Sequence, residues 1–248
     1  MKILPTICSK VAWVQFSHYV RVYRDVGLKD SLATLNLKIF KPIFKPILEF
    51  PKSKQSDFHL SRYGMNIQLR EAAENLKISV VGPNLSISHS QHLIRTLGFT
   101  GEIIDCSFPE FDLCDLNFPD SSVDSIVSDM VLEHLYGNPS EAFLSSFRVL
   151  KPGGIAVHTT CFFHHYHPKP YDHWRFTLKG LERLAESVGF EVLQTGGHGN
   201  WIMNKSFRSK WLWKIKISES KLNPLRKLLV RNNPEKPIYI WIIARRPA

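Results

Sequence analysis

Apolar positions along the middle of the chain follow two alternating patterns, which predict helices and strands in turn. In MNIQLREAAENL (65–76) the apolar residues recur every three or four positions, which is the spacing of an amphipathic helix. The run KISVVGPN follows, and its β-branched residues ending at Gly82, Pro83 and Asn84 predict a buried strand that enters a turn. Further runs of this kind predict strands at 101–107, 123–129, 155–163, 190–197 and 238–247.

The predicted helices lie between these strands and indicate the α/β class. Strands that alternate with helices of about 10–15 residues imply βαβ units and a mostly parallel sheet. The last two strands are separated by residues 200–236, a segment too long for a hairpin loop. We interpret this segment as an insertion and expect one antiparallel strand near an edge of the sheet. The predicted organisation is a basic leader over residues 1–62 and one domain over residues 63–248.

The net charge of +10 is concentrated at the two ends of the chain. Residues 1–50 carry a charge of +5 and residues 201–248 one of +10, so the middle carries −5. The basic ends also hold aromatic residues, in FKPIFKPIL (40–48) and at Trp211 and Trp213. This combination suits contact with an anionic membrane surface, and it equally suits segments that pack on the domain with solvated lysines. A nucleic-acid partner is not favoured, because the sequence carries no RNA-binding motif.

Several protein classes are excluded by the sequence. No apolar run approaches the roughly 18 residues of a membrane-spanning helix, and no small-residue cleavage site follows the mildly apolar start. The four cysteines form no CxxC pair, which argues against a zinc knuckle and for reduced thiols. We therefore expect a cytoplasmic protein whose membrane contact, if it has one, is peripheral.

Carboxylates and small polar residues follow the predicted strands. Ligands of an open parallel sheet bind outside the carboxyl ends of its strands, so these residues are expected to line a site. A carboxylate after the second strand can accept hydrogen bonds from both hydroxyls of a ribose, and a further carboxylate can accept from an adenine amino group. The candidate cofactor-binding residues at these ends are Gly82, Asn84, Asp105, Cys106, Asp112 and Asp129.

Three segments together resemble a known family. They are FPDSSVDSIVSDMVLEH (118–134), RVLKPGG (148–154) and HPKPYDHWRFT (167–177), and they are similar to class I S-adenosylmethionine-dependent methyltransferases of the type-11 family. The resemblance covers roughly residues 65–200 and the last strand. It implies a Rossmann-like three-layer sandwich around a mostly parallel, seven-stranded sheet, with S-adenosyl-L-methionine as the cofactor.

The resemblance also implies a role for each carboxylate. Asp105 would bind the ribose and Asp112 the adenine amino group, while Asp129 would face the cofactor near its methyl group. Gly82 and Asn84 would line the methionine end.

The first predicted strand departs from the family pattern. The family usually has an acidic residue and then a glycine-rich loop, but here Val80 takes the acidic position and Gly82 is the one glycine that remains. This departure motivates an alternative function, in which a methyltransferase-like fold has lost catalysis and serves as a binding or scaffold protein.

Histidines are concentrated between residues 158 and 173, and three interpretations of them remain open. His165 and His167 could bind a metal ion together with His134. One histidine could instead act as a general base or contact the substrate. The third interpretation is a polar loop whose histidines form local hydrogen bonds, held by a pair between Asp172 and Arg175. The histidines of the segment are His158, His164, His165, His167 and His173.

Methyl transfer from a sulfonium requires a positioned acceptor lone pair, and we expect it to need no metal. His134 is the first choice for a general base because it follows the third strand, where the acceptor should approach, and His167 is the second. His165 and Trp201 are the predicted substrate contacts. The expected acceptor is an oxygen of a small molecule or glycan.

Overall fold

The computed structural model describes residues 55–168, 170–200, 216–218 and 224–248. The chain divides into two units, Met1–Ile47 and Leu48–Ala248, and all described residues belong to the second. The predicted leader therefore lies almost wholly outside the described residues, as does most of the predicted insertion, including Trp201.

The described elements alternate between strands and helices for most of the chain. The strands are β1 (Gln55–His59), β2 (Asn84–Ile87), β3 (Ile103–Cys106), β4 (Val123–Asp129), β5 (Leu150–Cys161), β6 (Glu191–His198), β7 (Lys216–Ser218) and β8 (Tyr239–Arg245). The helices are α1 (Leu60–Asn75), α2 (Gln91–Thr96), α3 (Pro139–Val149), α4 (Leu178–Ser187) and α5 (Pro224–Leu229), with a 3₁₀ turn at Leu132–His134.

The main sheet has the strand order β3-β2-β4-β5-β8-β6. The pairs among β2, β3, β4 and β5 are parallel, whereas β8 is antiparallel to both β5 and β6. The predicted α/β fold with an antiparallel strand near one edge is confirmed. The described part of this sheet has six strands rather than the expected seven, and β1 and β7 pair with each other in a separate antiparallel ribbon.

Apolar side chains cover both faces of this sheet. Along β8, Ile240 and Ile242 join one core while Trp241 and Ile243 join the other, because successive side chains of a strand point to opposite faces. Both cores are packed against helices, which makes three layers. No described helix is long and apolar enough to cross a membrane.

The first strand of the main sheet lies later in the chain than the sequence indicated. The glycine–proline–asparagine sequence suggested a turn after residue 81, but the strand begins at Asn84, and Val81 is 76% exposed. The Asn84 side chain is fully buried and donates to the carbonyl oxygens of Gly82, Thr100 and Glu102. Gly82 and Asn84 thus lie at the amino end of β2, opposite the edge where ligands bind. The prediction that put them beside the cofactor is wrong.

Candidate active site

A cavity of about 150 Å³ lies at the carboxyl ends of the parallel strands. From β2 the chain continues to β3 on one side and later to β4 on the other, and such a reversal leaves a crevice between the strands. The loops after all four parallel strands reach this cavity. They contribute Ser88 after β2, Asp112 after β3, Met130 and His134 after β4, and Tyr171 after β5.

The loop between β2 and α2 has the backbone shape usually supplied by glycine. Ser88 and His89 have φ angles of 51° and 64°, in the left-handed region that costs a non-glycine residue free energy. The loop is tied to the end of β4, because the Ser90 hydroxyl accepts a hydrogen bond from the backbone N–H of Asp129 at 2.8 Å. The glycine-type turn exists here without glycines, six residues beyond where the sequence suggested it.

Asp105 lies near the end of β3 beside this loop. Its Oδ1 accepts hydrogen bonds from the Ser86 hydroxyl at 2.7 Å and from the backbone N–H of His89 at 3.2 Å, and its Oδ2 lies 2.7 Å from Nδ1 of His89. Partial burial disfavours the charged form, but the Ser86 hydrogen bond and the nearby His89 outweigh it and lower the pKa of Asp105. Asp105 is therefore held as an ionised carboxylate at the ligand edge.

The other two residues predicted around β3, Asp112 and Cys106, have different environments. Asp112 is exposed at the cavity, and its Oδ1 accepts from the backbone N–H of Cys114 at 2.9 Å. The Cys106 side chain is buried in the apolar core, where burial raises the pKa of its thiol to about 11. Neither Cys106 nor Asp105 is among the residues that line the cavity in the described part of the chain, and the cofactor contacts of both stay predictions.

Asp129 ends β4 in a buried polar network instead of lining the cavity. Its Oδ2 is 2.6 Å from Nη1 of Arg62 and 2.9 Å from Nε2 of His92, and its Oδ1 accepts from the Thr159 hydroxyl at 2.7 Å. Burial alone would raise the pKa of Asp129, but Arg62 and His92 hold it well below its usual range. Its carboxylate thus joins α1, α2 and β5, and its place beside the methyl group of the cofactor stays a prediction. Sequence reasoning missed Arg62 and His92, and no motif marks them.

A second polar cluster surrounds His134, which lines the cavity. Glu133 is fully buried, and its Oε2 accepts from the Thr160 hydroxyl at 2.7 Å. Its other oxygen, Oε1, has no hydrogen-bond partner among the described residues and lies 4.0 Å from Nε2 of His134. One ligand atom each of Glu133, His134 and His167 lies within 4.8 Å of the other two. Glu133 was absent from the sequence-based candidates, although its place beside His134 in the family motif could have indicated it.

The segment after β5 docks on this cluster. Backbone N–H groups of His173 and Trp174 donate to the carbonyl oxygen of Glu133 at 2.9 and 3.1 Å. The predicted pair between Asp172 and Arg175 is confirmed, with Nη2 of Arg175 2.8 Å from the carboxylate. Backbone hydrogen bonds to Glu133 therefore hold this segment on the cluster, and the pair between Asp172 and Arg175 holds it internally.

The remaining predicted histidines are separated by the structure. His158 lies buried within β5, with Nδ1 2.8 Å from the Ser128 hydroxyl, and burial lowers its pKa to about 4. His165 is exposed, and its carbonyl oxygen accepts from the His167 ring at 2.9 Å. His167 is brought next to His134, with ring centroids 5.0 Å apart.

Residues 64–158 match the sequence model of a methyltransferase domain. The chain is also 34% identical over 96 residues to a protein of Mycolicibacterium smegmatis described as a probable S-adenosylmethionine-dependent methyltransferase. That alignment covers 36% of this chain and 37% of the relative, so the chain matches just over a third of the relative's length.

Two solved structures are similar to this chain at low sequence identity. One is the complex of the Haloferax volcanii Trm112 methyltransferase activator with a methyltransferase candidate, matched at a TM-score of 0.50 and 15% identity over 75% of this chain and 90% of that one. Another is a Bacillus halodurans protein described as a methyltransferase, with a TM-score of 0.48 and 14% identity over 73% of this chain and 100% of that one.

Proposed function

We propose that this protein, whose residues 64–158 form a class I S-adenosylmethionine-dependent methyltransferase domain of the type-11 family, methylates an oxygen of a small molecule or glycan. The observation that carries the proposal is the cavity at the strand reversal, with Asp112 at one loop and His134 at another. A pocket that joins a carboxylate to an imidazole has a place for the cofactor and a place for an acceptor.

The residues at the cofactor end fit S-adenosylmethionine. Asp105 offers a carboxylate near the end of β3 for ribose hydroxyls, and Asp112 offers one at the cavity for an amino group. The left-handed backbone at Ser88 and His89 gives the loop its glycine-type path. The His89 side chain is 79% exposed and pairs with Asp105, so it must swing into solvent to free the carboxylate.

At the acceptor side of the cavity, His134 is the first candidate for the general base and His167 is the second. The cofactor supplies an electrophilic sulfonium methyl group, and the acceptor oxygen must give up its proton. His134 lines the cavity and His167 lies beside it, so these imidazoles are placed to promote that loss. His165, exposed on the same segment, and Trp201 remain the proposed acceptor contacts.

The first experiment is calorimetric titration of the full chain with S-adenosylhomocysteine. The wild type is expected to bind, and Asp105→Ala should weaken binding by about 1–3 kcal/mol because the ribose loses a charged acceptor. Asp120→Ala is the control, since Asp120 is exposed and pairs with Arg148 away from the cavity. No binding to the wild type at millimolar ligand would favour the scaffold alternative. Equal affinity in Asp105→Ala would reject the ribose contact.

The acceptor side is tested by transfer of a labelled methyl group to a panel of hydroxylated acceptors. His134→Ala should lower the rate on the order of 100-fold while S-adenosylhomocysteine affinity is retained. A rate equal to that of the wild type would remove His134 from the mechanism. Labelling confined to amine acceptors would replace oxygen by nitrogen as the methylated atom.

The basic ends of the chain support a peripheral contact with an anionic membrane that carries the acceptor. Their charges of +5 and +10 accompany the aromatic residues Trp211 and Trp213. Co-sedimentation with anionic vesicles should occur at low salt and fade as the Debye length falls from about 10 Å at 0.1 M to about 3 Å at 1 M. Equal binding to neutral vesicles, or binding to RNA alone in a gel shift, would contradict this contact.

A further inference from the structure

Three electron-pair donors lie close together beside the cavity, and one of them, His134, lines it. They are Oε1 of Glu133, a ring nitrogen of His134 and a ring nitrogen of His167, each within 4.8 Å of the others. Glu133 is fully buried, and its Oε1 has no donor among the described residues. A buried carboxylate oxygen without a partner is costly, so this position calls for a cation or a proton donor.

Hydrogen bonds to the backbone fix which nitrogen of each ring carries its proton. Nδ1 of His134 contacts the carbonyl oxygen of Tyr171, and Nδ1 of His167 lies 2.9 Å from that of His165. A carbonyl oxygen can only accept, so Nδ1 is the protonated nitrogen in both rings. In the neutral rings Nε2 therefore carries the lone pair, and Nε2 of His134 lies 4.0 Å from Oε1 of Glu133. With a neutral His134 ring and an ionised Glu133, two electron pairs would face each other across this gap.

The outer contacts of this cluster resemble those that orient metal-binding histidines. Such histidines usually donate their second ring N–H to a carbonyl or carboxylate. His134 does so to Tyr171. Nδ1 of His167 lies 3.2 Å from the carboxylate of Asp172, which also pairs with Arg175. The nearly inaccessible Asp172 also accepts from the backbone N–H of His167 at 2.9 Å.

We propose that Glu133, His134 and His167 bind one divalent transition-metal ion of the zinc class. Two imidazoles and one carboxylate form a three-ligand set that suits zinc and leaves a position open. Metal–ligand bonds of about 2.0–2.2 Å put tetrahedral ligands about 3.4 Å apart. The observed separations need to contract by about 1 Å, which rotation of the half-buried His167 side chain can supply.

His134 lines the cavity, so an ion held by these three residues would be within reach of an acceptor bound there. A role of the ion in methyl transfer deepens the proposed function and rests on it. The metal site itself does not depend on that function. An acceptor hydroxyl bound to the ion has a lower pKa, so its O–H bond breaks with the proton passing to water. His134 and His167 then promote proton loss as ligands of the ion.

The test is zinc binding by the full chain after chelator treatment and dialysis, followed by calorimetry and by elemental analysis of the bound metal. One zinc ion per chain is expected. Glu133→Gln, His134→Ala and His167→Ala should each weaken zinc binding by about 100-fold or more, and Asp172→Asn by about 10- to 100-fold. His165→Ala is the matched control, because it removes a histidine of the same loop that lies outside the cluster.

Several results would overturn the site. Sub-stoichiometric zinc in the wild type would do so, as would unchanged affinity in Glu133→Gln, which preserves side-chain shape. A loss in His165→Ala equal to that in His167→Ala would assign the metal to the His-x-His pair instead. Circular dichroism of each variant confirms that it is folded. Zinc binding without S-adenosylhomocysteine binding would reject the proposed function and keep the metal site, and the reverse result would reject only the site.

Discussion

Replacement of Asn84 tests whether this residue serves the fold or the cofactor. Its Nδ2 lies 2.6, 2.9 and 3.1 Å from the carbonyl oxygens of Gly82, Thr100 and Glu102. Its Oδ1 accepts from the Ser125 hydroxyl at 2.6 Å. The buried amide thus joins the start of β2 to the start of β4 and to the chain entering β3.

Asn84→Leu keeps a side chain of similar size and removes all of these hydrogen bonds. A hydrogen bond contributes about 1 kcal/mol net, and a buried group left without its partner costs about 1–3 kcal/mol, so the free energy of unfolding should fall by about 3 kcal/mol. For a domain of this size, the melting temperature should then fall by about 6–12 °C. Urea and thermal unfolding followed by circular dichroism measure both quantities.

Asn84→Asp is the control for the direction of these hydrogen bonds. It keeps the acceptor for Ser125 but turns a carboxylate toward three carbonyl oxygens, so it should destabilise at least as much as Asn84→Leu. Folded Asn84→Leu should bind S-adenosylhomocysteine with unchanged affinity. A variant with wild-type stability and lost affinity would refute this reasoning and return Asn84 to the cofactor site.

Two further predictions concern histidines. His89→Gly should tighten S-adenosylhomocysteine binding by up to about 10-fold, because it removes the ring that pairs with Asp105; weaker binding would show that the ring contributes a ligand contact. His158 has a folded pKa of about 4 and an unfolded pKa of about 6.5, so only the unfolded chain gains its proton as the pH falls. The free energy of unfolding should therefore drop by about 2 kcal/mol from pH 7 to pH 5, and urea unfolding of His158→Asn should show a smaller drop; an equal drop would assign the dependence to other groups.

The long apolar strands of the main sheet could be predicted from sequence because they are buried on both faces. β8 is apolar at six successive positions, which needs no knowledge of its neighbours. β2 was misplaced because its four residues, Asn84–Ile87, contain only two apolar side chains, whereas the preceding Ile78–Val81 run has three. Its position is set by pairing with β3 and β4, which is not a local property of the chain.

The candidate site was predictable only where one short segment determines it. Asp172 and Arg175 are three residues apart, and their pair followed from the sequence. Asp129 and Arg62 are 67 residues apart, so their contact depends on how α1 packs on the sheet. The glycine-type turn at Ser88 and His89 was hidden because neither residue type signals a positive φ.

The position of β8 has a consequence for strand pairing while the chain is being synthesised. In the sheet, β8 lies between β5 and β6 and pairs with both, and it follows β5 by roughly 80 residues in the chain. At a synthesis rate of about 5–20 residues per second, the growing chain presents one side of β5 without its partner for roughly 4–16 s. During that interval the unpaired N–H and C=O groups along this side of β5 form an open strand edge, which another extended segment can pair with until β8 is made.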